Sequence, residues 1–347
     1  MTCYGPLTLL AAVGATLLAG CATEPKPRLQ TQIGESLVFV GLEPAFLARF
    51  PDRRCPIHVR STYQPGSNTV DYVAGRDFSV DYTQGTLSRT VNSALPDFRT
   101  NTLYGQLDFD HTRFAGFGNR GFFAYVDYAY PASPGPLNSS GEAALLPQTR
   151  ARLLLGHRLK IVAFGDSITA GMDVAPPFVF WHRWAAELGE KYPQAEITTL
   201  NSATSGDSTA QGLARLDDKV IATQPDLVLI GFGMNDHNRQ GVEPALFEAN
   251  LQNMVLRIRQ KTAAEIILYS AFPPNPAWRF GSHRMSDYAA ATKRAAQATG
   301  CAYADVFDLW QDAAARKKPE DLLANDINHP NEFGHSVYLQ AFRNLGL

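Results

Sequence analysis

The stretch Leu159-Lys160-Ile161-Val162-Ala163-Phe164-Gly165-Asp166-Ser167-Ile168-Thr169 decides the fold. Its first half is a short, β-rich apolar run, the composition of a central parallel strand buried on both faces. Gly165-Asp166-Ser167 then turns the chain at the strand's carboxyl end, where ligands bind in an open α/β sheet. Taken alone, Gly-Asp-Ser is also ordinary turn chemistry, with Asp or Ser capping the next helix. A chemical role for Ser167 therefore needs support from the rest of the chain.

Downstream, strands alternate with helices. Residues 178–191 have helical period, 196–200 read as a strand, and 209–223 as a helix closed by Gln224-Pro225. Asp226 to Gly231 is a strand with almost no polar face. Pro244 to Lys261 is a helix with proline at its permissive start, and Glu265 to Ser270 is a further strand. Met285 to Thr299 reads as a helix, Cys301 to Val306 as a fifth strand and Gly334 to Leu345 as a closing helix. Such alternation predicts an α/β fold, a three-layer α/β/α domain with a parallel sheet, over residues 159–347.

Upstream, between Ser36 and Tyr130, helical period is absent. Short alternating runs lie at 37–40, 57–60, 78–82, 86–89, 103–108 and 122–130, broken by Gly, Pro, Asn and Asp. This spacing predicts a small all-β, sandwich-like domain over residues 33–131. Thr83-Gln84-Gly85 reads as its hairpin turn. The tyrosines of this half suit a sugar-stacking face, but alternating aromatics also simply fill a sandwich core. The Pro-rich run Pro131 to Ser140 punctuates the chain, and residues 132–158 read as linker and lead-in.

Residues 1–20 end in an apolar run too short to span a bilayer, and Leu18-Ala19-Gly20-Cys21 resembles the bacterial lipobox. That resemblance implies a lipoprotein signal peptide, lipid on Cys21, a tether over residues 21–32, and an exported, membrane-anchored place in the cell envelope. The leader carries no Lys or Arg, a departure from ordinary secretory leaders. A net charge of −2 over 347 residues gives no footprint for nucleic acid. On that resemblance Cys3 would leave with the leader and Cys21 would carry lipid, so only Cys55 and Cys301 are left as thiols, far apart in sequence; a bridge between them is not expected, and Cys301 reads as a buried core residue. No metal-ligand pattern such as His-x-x-x-His is present, so neither metal nor cofactor is expected.

Four short blocks fall at strand ends or in the late loop: Gly165-Asp166-Ser167-Ile168-Thr169, Asn201-Ser202-Ala203-Thr204-Ser205-Gly206, Gly233-Met234-Asn235-Asp236 and Asp326-Ile327-Asn328-His329-Pro330. A serine hydroxyl needs an imidazole to take its proton, and His329 has a carboxylate three positions before it. His157, His182 and His335 have no such partner, while His237 is placed to line a pocket. In order and position the blocks resemble the SGNH, or GDSL, hydrolase superfamily over roughly residues 160–347. The resemblance implies Ser167 as nucleophile, His329 as base and Asp326 as the acid behind it. It further implies an oxyanion hole of the Ser167 N–H, the Gly206 N–H and the Asn235 amide. Asp166 and Asp236 are expected to hold their loops. Thr169, two positions after Ser167, is not the glycine an α/β-hydrolase elbow requires.

The activity expected from the resemblance is hydrolysis of an ester through an acyl-enzyme. The substrate expected is an O-acetyl group on a glycan, with residues 272–284 overhanging the site. A lysophospholipase or thioesterase is the alternative within the same chemistry. A non-catalytic glycan-binding surface lipoprotein is the alternative from another class.

Overall fold

The computed structural model describes residues 28–132, 141–238 and 241–347. The expected signal peptide, Cys21, most of the tether and the centre of the Pro-rich linker lie outside the described residues.

The N-terminal half begins with β1 (Leu29–Leu37), so the last residues assigned to a tether are already paired. It continues through β2 (Ala45–Phe46), β3 (His58–Arg60), β4 (Asp71–Tyr72), β5 (Phe78–Asp81), β6 (Thr86–Arg89) and β7 (Ala124–Pro131). These form two antiparallel sheets, ordered β1-β7-β3-β4 and β2-β6-β5. Both contribute to one apolar cluster that includes Leu37, Val59, Phe78, Leu87 and Val126. The 83–85 turn is a hairpin: Asp81 accepts from the N–H groups of Thr83 and Gln84, and Gly85 takes φ +65°. The strand expected at 103–108 is absent. Between β6 and β7 the chain is a long run of turns and short 3-10 segments, anchored by buried aromatics such as Phe98 and Phe109 in two small apolar clusters.

Residues 141–158 are not a linker. They carry α1 (Pro147–Leu155), with Leu146, Thr149 and Leu153 fully buried. The alternating half follows: β8 (Leu159–Gly165), α2 (Ser167–Ala170), α3 (Phe180–Lys191), β9 (Ile197–Asn201), α4 (Thr209–Lys219), β10 (Leu227–Gly231), α5 (Pro244–Lys261), β11 (Glu265–Tyr269), α6 (Met285–Thr299) and β12 (Ala302–Ala304). After β12 come α7 (Val306–Ala314) and α8 (Pro319–Leu322), two helices beyond those the sequence pattern predicts, and then α9 (Glu332–Arg343). The five strands are parallel in the order β12-β11-β10-β8-β9, with helices on both faces. β8 and β10 are buried along nearly their whole length, as their unbroken apolar runs require, whereas the polar β9 is the edge. Strand order reverses between β8 and β10, and the crevice at such a reversal is the binding position in an open sheet.

The two halves meet through a dry polar seam. Lys317 Nζ, fully buried, lies 2.9 Å from a buried Glu35 carboxylate oxygen and donates to the Ser36 carbonyl. Ser36 Oγ donates to the Asp321 carbonyl, the Val38 N–H donates to Asp321 Oδ1, and Asn331 Nδ2 donates to Ser36 Oγ. Cys55 and Cys301 are both free thiols.

Lys317→Ala leaves the buried Glu35 carboxylate without its cation, held only by the Ala48 N–H and the Tyr128 hydroxyl. It is expected to lower the unfolding free energy by about 3–5 kcal/mol. Removing one partner of the exposed Lys261–Asp217 pair is expected to leave the unfolding midpoint close to the parent's. Urea unfolding of the two variants checks the contrast.

Candidate active site

Gly165 ends β8 because nothing larger fits: a Cβ there would stand 2.2 Å from the Gly231 carbonyl oxygen on β10. Asp166 caps α2, accepting from the Ile168 N–H at 3.0 Å. Its burial pushes its carboxyl up to about 7. Thr169 Oγ1 is 2.6 Å from Tyr269 Oη, and the Trp181 indole donates to the Thr169 carbonyl at 2.8 Å, so α2 is tied to β11 and α3. This turn presents Ser167 at the mouth of the switch point.

Ser167 Oγ lies 2.9 Å from His329 Nε2, joining residues 162 positions apart. The carboxylate behind the ring is not the one expected. Asp173, just past α2, has Oδ2 at 2.5 Å from His329 Nδ1. A carboxylate only accepts, so Nδ1 carries the hydrogen and Nε2 is left to accept from the serine hydroxyl. Hydrogen bonding to His329 holds the Asp173 carboxyl below its ordinary range against partial burial.

Asp326 is three residues from His329 but turns away from it. Its backbone sits at φ +60°, and its Oδ1 accepts from Asn119 Nδ2 at 3.1 Å and, more weakly, from Asn275 Nδ2 at 3.5 Å. Burial pushes its carboxyl up to about 7. In this structure the carboxylate against the ring is therefore Asp173, and Asp326, the acid expected from the sequence, is bonded elsewhere. Asp173 had no sequence signal of its own, since it belongs to none of the four blocks.

Hydrogen bonds draw the second and third blocks together at the end of β8. The Thr204 N–H donates to the Gly165 carbonyl at 2.9 Å, stitching the second block to the end of β8. Asn235 Nδ2 donates to the Asp207 carbonyl at 2.9 Å, which sets that amide beside Gly206. Gly206 takes φ +84°, and a Cβ built on it meets nothing within 4 Å, so glycine is called for here by the backbone conformation and not by crowding. The Ser167 N–H is at the first position of α2, where no intrahelical acceptor exists. Asp236 Oδ1 accepts from the Thr209 N–H at 2.9 Å and from the Thr209 hydroxyl at 2.5 Å, anchoring the third block to α4.

His237 is fully buried rather than lining a pocket. Its Nδ1 is 2.5 Å from the Met234 carbonyl oxygen, and burial lowers its imidazole to about 4. His335 is likewise buried, in α9, and lowered to about 3. The 272–284 segment packs on the loop carrying His329: the Asn275 N–H donates to the Ile327 carbonyl, and Trp278 clusters with Ile327, Leu103 and Phe109. The last two come from the N-terminal half.

A hydroxyl, an imidazole and a carboxylate in line at a parallel-sheet switch point have the form of a serine-nucleophile acyl-transfer site. The model of the GDSL-like Lipase/Acylhydrolase family matches residues 163–337, and the chain belongs to that family. The chain is similar to an arylesterase of Vibrio mimicus, 34% identical over 121 residues that cover 35% of this chain and 59% of that protein. It is also similar to the thioesterase 1/protease 1/lysophospholipase L1 of Escherichia coli K12, 30% identical over 120 residues covering 35% and 55%. An acetylxylan esterase of Geobacillus stearothermophilus is 27% identical over 165 residues covering 45% and 75%. The chain thus spans little more than half the length of the first two. Among solved structures, Axe2, an acetylxylan esterase from Geobacillus stearothermophilus, aligns at 27% identity and TM-score 0.48 over 55% of this chain and 94% of that one.

The raised Asp326 carboxyl has a consequence for stability. Its folded value of about 7 lies above the ordinary 3.8. The folded chain therefore holds the proton more tightly, and the associated stability, present below about pH 4, is lost as pH rises through about 7. Asp326→Asn keeps the acceptor without the titration, so its melting temperature is expected to gain on the parent's between pH 4 and 8. Thermal melts of the pair across that range check this.

Proposed function

We propose that the protein is a serine ester hydrolase acting through an acyl-enzyme, with O-acetyl groups on a carbohydrate as its substrates. The observation that carries the catalytic reading is the line from Ser167 Oγ through the His329 ring to Asp173 Oδ2. Ser167 Oγ attacks the ester carbonyl carbon as His329 Nε2 takes its proton. The Asp173 carboxylate holds the ring in the required tautomer and stabilises the imidazolium. Negative charge on the former carbonyl oxygen meets the N–H groups of Ser167 and Gly206 and the Asn235 amide. The imidazolium returns its proton to the departing alcohol. Water, deprotonated by the same nitrogen, then attacks the acyl carbon, the carboxylic acid leaves, and Ser167 is restored.

The carbohydrate preference is supported by the acetylxylan esterase relative, of which the chain covers three quarters, and by the part-exposed rings of Phe280, Phe117 and His111, which lie against the buried Trp278 beside the His329 loop. A thioesterase or lysophospholipase activity is the second reading, favoured by the Escherichia coli relative. The lipobox-like Leu18 to Cys21 supports an envelope lipoprotein held by lipid on Cys21.

Acetate release from acetylated glycans, compared with hydrolysis of long-chain acyl esters and thioesters, separates the readings; faster turnover of long chains overturns the acetyl preference. Ser167→Ala is expected to abolish turnover while leaving glycan binding intact. Asn235→Ala is expected to lower kcat on the order of 10²–10³-fold. Asp173→Asn is expected to lower kcat by about 10²–10⁴-fold, whereas Asp326→Asn stays within roughly tenfold of the parent, a difference of about 1.4 kcal/mol in barrier at most.

A further inference from the structure

Two adjacent residues of the N-terminal half reach the hydroxyl–imidazole–carboxylate line from behind. Asn119 is fully buried and uses all its polar groups. Its Nδ2 donates to the carbonyls of Leu323 at 2.9 Å and Glu320 at 3.2 Å and to Asp326 Oδ1 at 3.1 Å. Its Oδ1 accepts from Asn101 Nδ2 at 3.1 Å, and its own N–H donates to the Ala324 carbonyl at 2.8 Å. From Ala324 the chain closes directly on the imidazole: the Ala324 N–H donates to the His329 carbonyl at 2.8 Å, and Asn325 Oδ1 accepts from the N–H groups of Ile327, Asn328 and His329. Asn119 therefore holds the base of the loop that presents His329.

Arg120 serves the other partner. Its guanidinium donates to the Asp173 carbonyl oxygen and lies 3.9 Å from a Glu332 carboxylate oxygen. Glu332 is itself bonded to Tyr125 Oη at 3.1 Å, on β7. Asp173 needs such a hold. It sits at φ +66°, a region unfavourable to a residue with a side chain, and its segment follows a single helical turn.

We propose that Asn119 and Arg120 are positioning residues, one fixing the loop of His329 and the other the loop of Asp173, and so set the approach of the carboxylate to the imidazole. The N-terminal half is on this account part of the catalytic apparatus rather than a detachable module. The inference rests on the reading of Asp173 as the carboxylate that orients His329.

The test is a double-mutant cycle in the full chain, with kcat and KM measured on a small acetyl ester. The Arg120 side chain is mostly exposed, so Arg120→Ala is expected to leave the melting temperature unchanged and KM within twofold while kcat falls roughly 10–10²-fold. Arg120→Lys is expected to recover most of that loss. In an Asp173→Asn background the Arg120→Ala change is expected to cost less than twofold, because the group it acts through is gone. Asn119→Ser is the gentler change at the buried position. It is expected to lower kcat with KM held, and to shift the downfield proton resonance of the His329 Nδ1–H in the folded protein. If Asn119→Ser does not fold, the Arg120 cycle alone decides. Should Asp173→Asn keep parental kcat, the Asp173 reading fails and this proposal with it. Should Asp173→Asn be crippled while Arg120→Ala is harmless, or equally costly in both backgrounds, this proposal alone fails.

Discussion

The hydrogen bonds that close the Ala324 to His329 loop against the N-terminal half are the constraint on which the site depends. The seam is dry, and each buried amide and carbonyl in it requires a partner. Asn119 answers three acceptors on the loop and its approach, and Ser36, Lys317 and Asn331 continue the pattern toward α9. Once these bonds are made, the loop has one path. Along that path the Asp326 side chain points into the seam and the His329 ring points out toward Ser167.

Burial then sorts the two carboxylates near the ring. Asp326 is enclosed, offered amide donors and no cation, and pushed up to about 7, so its neutral form is accessible near neutrality. Asp173 is half-buried and held below its ordinary range by the imidazole it faces. A ring that gains a proton during acyl transfer needs a charged partner, and the more exposed carboxylate remains ionised at lower cost in desolvation. The same physics that makes Asp326 a good seam residue makes it the poorer counter-ion.

On the opposite side of Ser167 the donors are organised by the sheet. Gly165 and Gly231 lie opposite each other on β8 and β10, and their lack of side chains makes room for Thr169 of α2 and for the Tyr269 ring of β11. The second block reaches the same point from β9 through its bond to the Gly165 carbonyl. Two kinds of support thus converge on one serine: a local one built from neighbouring parallel strands, and a distant one built from the antiparallel half. Trp278 joins them, donating its indole N–H to His111 while packing on Ile327.

Much of this was legible in residue order. The apolar runs of β8, β10 and β11, the proline at the start of α5 and the four polar blocks are short-range patterns, and chain-local physics suffices to read them. The helices at 147–155 and 306–314 were not read, because each is short and lies beside stretches of turn-like composition. The 103–108 run alternates like a strand but lacks a neighbour to pair with, and a strand is stabilised only through its partner. By itself the sequence determined the layered parallel domain and marked the serine and the imidazole that the structure brings together. The tertiary structure alone decided which carboxylate stands behind the imidazole. That choice turns on an amide 207 positions away from Asp326 and on a ring 156 positions away from Asp173, separations at which no local period carries information.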